Sequence, residues 1–104
     1  FENMVSKLVQ SREINKICQI FLNAAPQPEV ITENWLKRAI DINQQNGMRS
    51  KLGQSHYLYS QFFKMHNNIP KAREQMETAM KILKECGADG WVERYEKELE
   101  TLNS

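Results

Sequence analysis

The chain has 104 residues, 26% of them charged and 40% hydrophobic, with a formal net charge of +1. That length suits one domain able to bury about two-thirds of its unfolded surface, and the apolar content excludes a disordered chain. A charge so near zero, without clustered Lys and Arg, argues against nucleic acid as a partner. No apolar run approaches the roughly 20 residues of a membrane span, and no basic-then-apolar signal segment is present, so the expected setting is the cytoplasm. Because the chain starts at Phe1 rather than Met, it is expected to be a fragment of a longer protein.

In chain order, Met4, Val5, Leu8, Ile14, Ile17, Cys18, Phe21 and Leu22 recur at helical spacing. With no Gly or Pro among them, one helix through residues 1–24 is predicted. Pro26 and Pro28 break it, and Pro28 can open a second helix whose apolar stripe is Val30, Ile31, Trp35, Ala39 and Ile42. Gly47 is the natural left-handed stop for that helix. A third helix is predicted over 49–66, with His56, Tyr59, Ser60 and Phe63 on one face. Asn67 and Asn68 suit a tight reversal, because Asn tolerates left-handed angles. A fourth helix follows from Pro70 to Cys86, its face formed by Ala72, Met76, Ala79 and Ile82. After a closing turn at 87–90, a last helix over 91–102 carries Trp91, Val92, Tyr95, Leu99 and Leu102 on one side. Small residues at Ser60, Ala72 and Ala79 allow the third and fourth helices to approach closely.

The small and aromatic residues of the third helix, a two-residue polar turn, and Ala72-x-x-x-Met76-x-x-Ala79-x-x-Ile82 resemble a tetratricopeptide (TPR) helix pair. Ser60 stands at the small position of that pattern, Phe63 at the aromatic one, and Ala72 and Ala79 at the two alanine positions. His56 and Tyr59 depart from it, standing where Trp and Leu are common. Leu36, Ala39, Ile42 and Gly47 recur as Met76, Ala79, Ile82 and Gly87, an offset of 40 residues. That period exceeds the usual 34, and resembles the long repeats in C-terminal arrays of bacterial ATPase-linked regulators and nucleotide cyclases. In this alignment bulky Ile20 takes the place of small Ser60, which would hold the first two helices apart.

The resemblance implies an all-α, right-handed stack of antiparallel helix pairs: pair one over about 2–46, pair two over about 49–86, and a capping helix over about 91–102. It implies a protein-interaction module of a larger signalling or regulatory protein, taking a protein or peptide partner. The template places Gln54, Tyr57, Gln61, Lys64 and Met65 on the concave groove that receives that partner. Two alternatives stay open: a structural cap or homodimerisation segment, and a small-molecule sensor. A crevice lined by Tyr57, Met65 and Trp91 would favour the sensor.

Nothing in the residues calls for catalysis, a cofactor or a metal. His56 and His66 lie ten residues apart on one predicted helix, about 15 Å by helical rise, too far to share an ion. His56 is expected in the core and His66 near the turn. Cys18 and Cys86 read as reduced core cysteines, with a disulfide between them left open, and no C-x-x-C spacing suggests zinc. Met48, Met65, Met76 and Met80 read as core, and Glu93, Glu96, Glu98 and Glu100 as a solvated face stabilised by Arg94 and Lys97. No glycine-rich phosphate loop is present, and the chain is not expected to be an enzyme.

Overall fold

The structure, a computed structural model, describes residues 14–23 and 29–103. The described chain is all helical: α1 (Ile14–Asn23), α2 (Glu29–Gln45), α3 (Arg49–Met65), α4 (Ile69–Glu85) and α5 (Asp89–Asn103). The predicted helix through residues 1–24 therefore lies within the described residues only over α1, and the proline break at 24–28 lies outside them.

From α2 onward the helices begin at residues 29, 49, 69 and 89, one every 20 residues. The 40-residue offset in the sequence is two such steps, one helix pair. Each step ends in the same way. Gly47, Asn67 and Gly87 all adopt positive φ, at 67°, 60° and 75°. The residue after each donates its N–H back five positions, from Met48 to Asn43, Asn68 to Phe63 and Ala88 to Leu83, at 2.8–2.9 Å. The positive-φ residues donate back three positions, to Gln44, Lys64 and Lys84. These paired bonds occupy carbonyls that a helix end leaves without partners. Asn68 then caps α4 by accepting from the Lys71 N–H, and Pro70 occupies the first turn. The last helix starts at Asp89, two residues before its predicted start, because Asp89 is tolerated in a first turn beside the positive end of the helix dipole.

Short turns make neighbours antiparallel, and cross-helix pairs fix the register. His66 at the end of α3 pairs with Glu29 at the start of α2, 3.0 Å apart. Arg49 at the start of α3 reaches Glu85 at the end of α4, 3.2 Å away. Helices α3 and α4 pack most intimately. Ser60, Ala72 and Ala79 are all buried. Gly53 joins them: a Cβ at this position would lie 2.7 Å from Cγ of Leu83, so α4 seats its leucine against bare backbone.

The first pair is built differently. In α2 the buried face is Thr32, Leu36, Ala39 and Asn43, while Val30 and Ile31 are exposed. The predicted stripe beginning at Val30 and Ile31 is thus out of phase, because polar Thr32 and Asn43 occupy the inward positions. Asn43 Nδ2 donates to Ser55 Oγ at 2.8 Å, and the Ser55 hydroxyl donates to Asn15 Oδ1 at 2.6 Å. Asn15 Nδ2 in turn reaches the Lys51 carbonyl at 3.0 Å, so one buried network ties α1, α2 and α3 together. In α1 the buried residues are Ile14, Asn15, Cys18 and Leu22. Ile20 is 65% exposed, so it does not hold the first two helices apart; Cys18 faces α2 instead and its thiol donates to the Trp35 carbonyl at 3.5 Å.

Other expectations also shift. Cys86 is exposed at the C-cap of α4 while Cys18 is fully buried, and both thiols are free. His56 is only partly buried, with Nδ1 2.7 Å from Gln75 Oε1. Of the methionines, Met76 is core, Met48 and Met80 are half-buried and Met65 is 59% exposed.

Candidate functional site

Three alternate helices, α1, α3 and α5, share one face of the molecule and border a groove of about 380 Å³. No residue of α2 or α4 lines it. From α1 come Asn15, Lys16 and Gln19; from α3, Lys51, Gln54, Tyr57 and Leu58; from α5, Trp91, Arg94 and Tyr95. Helical periodicity explains the set. Lys51, Gln54 and Leu58 follow one another at spacings of three and four, and Arg94 and Tyr95 lie three and four residues after Trp91, so each helix turns one stripe to the groove.

Tyr57 organises the floor. Its ring stacks on Tyr95 with centroids 4.2 Å apart and planes 3° from parallel. Its hydroxyl donates to Glu98 Oε1 at 3.0 Å, and Gln61 Nε2 donates to the other oxygen of the same carboxylate. Burial, then the adjacent Glu98 charge and hydrogen bond, push the Tyr57 phenol up to about 12. Tyr95 is also pushed up, by burial first and then by Tyr57 and Glu98. Glu98 is therefore no member of a wholly solvated acidic face: it clasps α5 to α3, while Glu93, Glu96 and Glu100 stay exposed. Trp91 is 42% exposed at the rim, with the Arg94 guanidinium 5.2 Å above its ring.

The five residues assigned to the groove separate here. Gln54 and Tyr57 line it, and Gln61 lies beside it with its amide engaged by Glu98. Lys64 and Met65 do not line it. They sit in the last turn of α3, beyond the stretch that α1 and α5 flank. The crevice specified for a small-molecule sensor likewise contains Tyr57 and Trp91 but not Met65. Sequence reasoning missed Lys51, Arg94 and the α1 residues. The spacing Lys51, Gln54, Leu58 was available as a signal, but which other helices face it depends on the packing of α1 and α5.

Among the described residues, no group of three or more His, Cys, Asp and Glu could hold a metal ion. No described helix is long and apolar enough to cross a membrane. Compared with known proteins, the chain matches no family model, no curated protein and no solved structure.

Proposed function

We propose that the chain is a TPR-like interaction module of a larger cytoplasmic signalling or regulatory protein, which takes a peptide segment of a partner protein. The observation that carries this reading is the groove made by alternate helices alone, α1, α3 and α5, with α2 and α4 behind them. A stack of helix pairs leaves such a surface, since each pair buries its inner face against the next. The floor offers Tyr57, Leu58 and Tyr95 for apolar contact, and the amides of Gln19 and Gln54 stand ready for a peptide backbone.

The test is a display library of random dodecapeptides panned against the 104-residue chain. Peptides that bind this chain should lose binding to Gln54→Trp, which fills the groove, and retain it with Lys81→Ala on the exposed side of α4. Binders indifferent to Gln54→Trp would remove the groove from the reading. A homodimer is the second reading, favoured by exposed Val30 and Ile31 near half-buried Trp35. It requires a concentration-dependent mass in analytical ultracentrifugation that Ile31→Glu abolishes.

A further inference from the structure

We infer that the groove between α1, α3 and α5 takes an acidic peptide, whose carboxylates dock on Lys51 and Arg94 while its apolar residues rest on the aromatic floor. This inference rests on the interaction-module reading and adds the chemistry of the partner.

Every charged residue lining the groove is basic: Lys16, Lys51 and Arg94. On a chain whose net charge is +1, that is a local excess rather than a global property. The argument rests on Lys51 and Arg94, for neither has a carboxylate partner among the described residues. The nearby carboxylate, Glu98, is already committed to Tyr57 and Gln61 through both oxygens. Lys51 is half-buried, and Arg94 lies over Trp91. Two cations on opposite walls, α3 and α5, thus border a cleft whose lining, among the described residues, holds no carboxylate; Glu98, outside that lining, keeps its charge on Tyr57 and Gln61. Their attraction for an anion is stronger in a cleft with low-dielectric walls than on open surface.

The floor decides between classes of anion. A nucleic-acid backbone is held by a run of cations matched to successive phosphates, and its affinity scales with their number. Here only a few cations border a surface of Tyr57, Leu58, Trp91 and Tyr95. Carboxylates spaced by apolar side chains match that alternation, and a polyphosphate does not.

The test uses the same dodecapeptide library, now sequenced for composition. Peptides that depend on the groove should be enriched in Asp and Glu. A fluorescein-labelled peptide from that set, measured by anisotropy, should bind about tenfold more weakly to the Lys51→Gln/Arg94→Gln variant. Its affinity should also fall as salt rises from 50 to 500 mM, because added ions screen partly exposed charges. The same peptide with Glu replaced by Gln should bind both proteins equally. The Lys51 side chain takes no part in the buried network, which uses only its carbonyl, so the variant's thermal melt should match the parent's. Should the melt fall, Lys51→Met/Arg94→Met keeps the packing of the stems and removes the same charges.

Groove-dependent peptides without acidic enrichment, or unaffected by loss of both cations, overturn the inference and leave the interaction-module reading standing. Failure to select any groove-dependent peptide removes both. Displacement of the acidic peptide by an oligouridylate of equal charge would overturn the peptide assignment in favour of nucleic acid.

Discussion

The two helix pairs differ at equivalent positions: the first adds a buried polar network where the second is apolar. At positions 40 residues apart, α2 buries Asn43 where α4 buries Leu83, and α2 buries Thr32 where α4 buries Ala72. The second pair closes on an apolar seam, with Leu83 pressed on the bare backbone of Gly53. The first buries Ile14, Cys18, Leu22, Leu36 and Ala39 and adds hydrogen bonds that join Asn15 and Asn43 to Ser55 of α3. Dispersion and burial reward any close fit, whereas a buried polar network rewards one geometry and penalises the rest. Apolar burial thus serves both pairs, and the polar network in addition fixes how α1 and α2 sit on α3.

The largest effect is expected at the apolar seam. Leu83→Ala leaves a cavity beside Gly53 and should cost about 2–5 kcal/mol in urea unfolding. Gly53→Ala should cost about 1–3 kcal/mol in the parent. In a Leu83→Ala background it should cost far less, since the new methyl then fills the space left by the leucine. Strict additivity of the two substitutions would show that Gly53 and Leu83 do not meet.

Asn43→Leu sharpens the comparison, because it writes the second pair's residue into the first. It leaves Ser55 and Asn15 buried with fewer partners, and should destabilise by about 1–3 kcal/mol despite the added apolar surface. A stabilising Asn43→Leu would mean that the two seams are interchangeable.

A third effect appears only at high pH. Burial disfavours the charged forms of Cys18 and Tyr57, raising each to about 12 from ordinary values of 9.0 and 10.0. The folded chain keeps protons that the unfolded chain has already released. Their contribution is therefore complete below about pH 9 and is lost as pH rises towards 12. Urea midpoints at pH 8, 10 and 11 should fall in that order, and Tyr57→Phe should flatten the fall. An equally steep decline in Tyr57→Phe would place the sensitivity elsewhere, with Tyr59 and Tyr95 the next groups to remove.

The smallest effect belongs to the exposed Arg49–Glu85 pair, which spans the same α3–α4 contact as Gly53. Arg49→Ala should change stability by no more than about 0.5 kcal/mol, since exposed ion pairs are screened by water and salt.

Much of this was legible in the residues. Local rules governed the helix count, the stops at Gly47 and Gly87, the reversal at Asn67 and the burial of Ser60, Ala72 and Ala79. A left-handed residue or a buried alanine depends on near neighbours in the chain, so its meaning survives without the fold. The 40-residue offset was visible because the second pair repeats features of the first. Tertiary packing alone decided the phase of α2, where two polar residues face inward because partners await them on α1 and α3. It decided that Ile20 points to solvent, that Glu98 holds Tyr57, and that Lys51 and Arg94 face one another across a groove. Asn43 and Ser55 lie 12 residues apart, Asn15 and Ser55 40, and Tyr57 and Glu98 41, on helices that sequence periodicity treats separately. Periodicity shows which side of a helix is apolar; only the packed stack determines which polar side chains from different helices come to share a space.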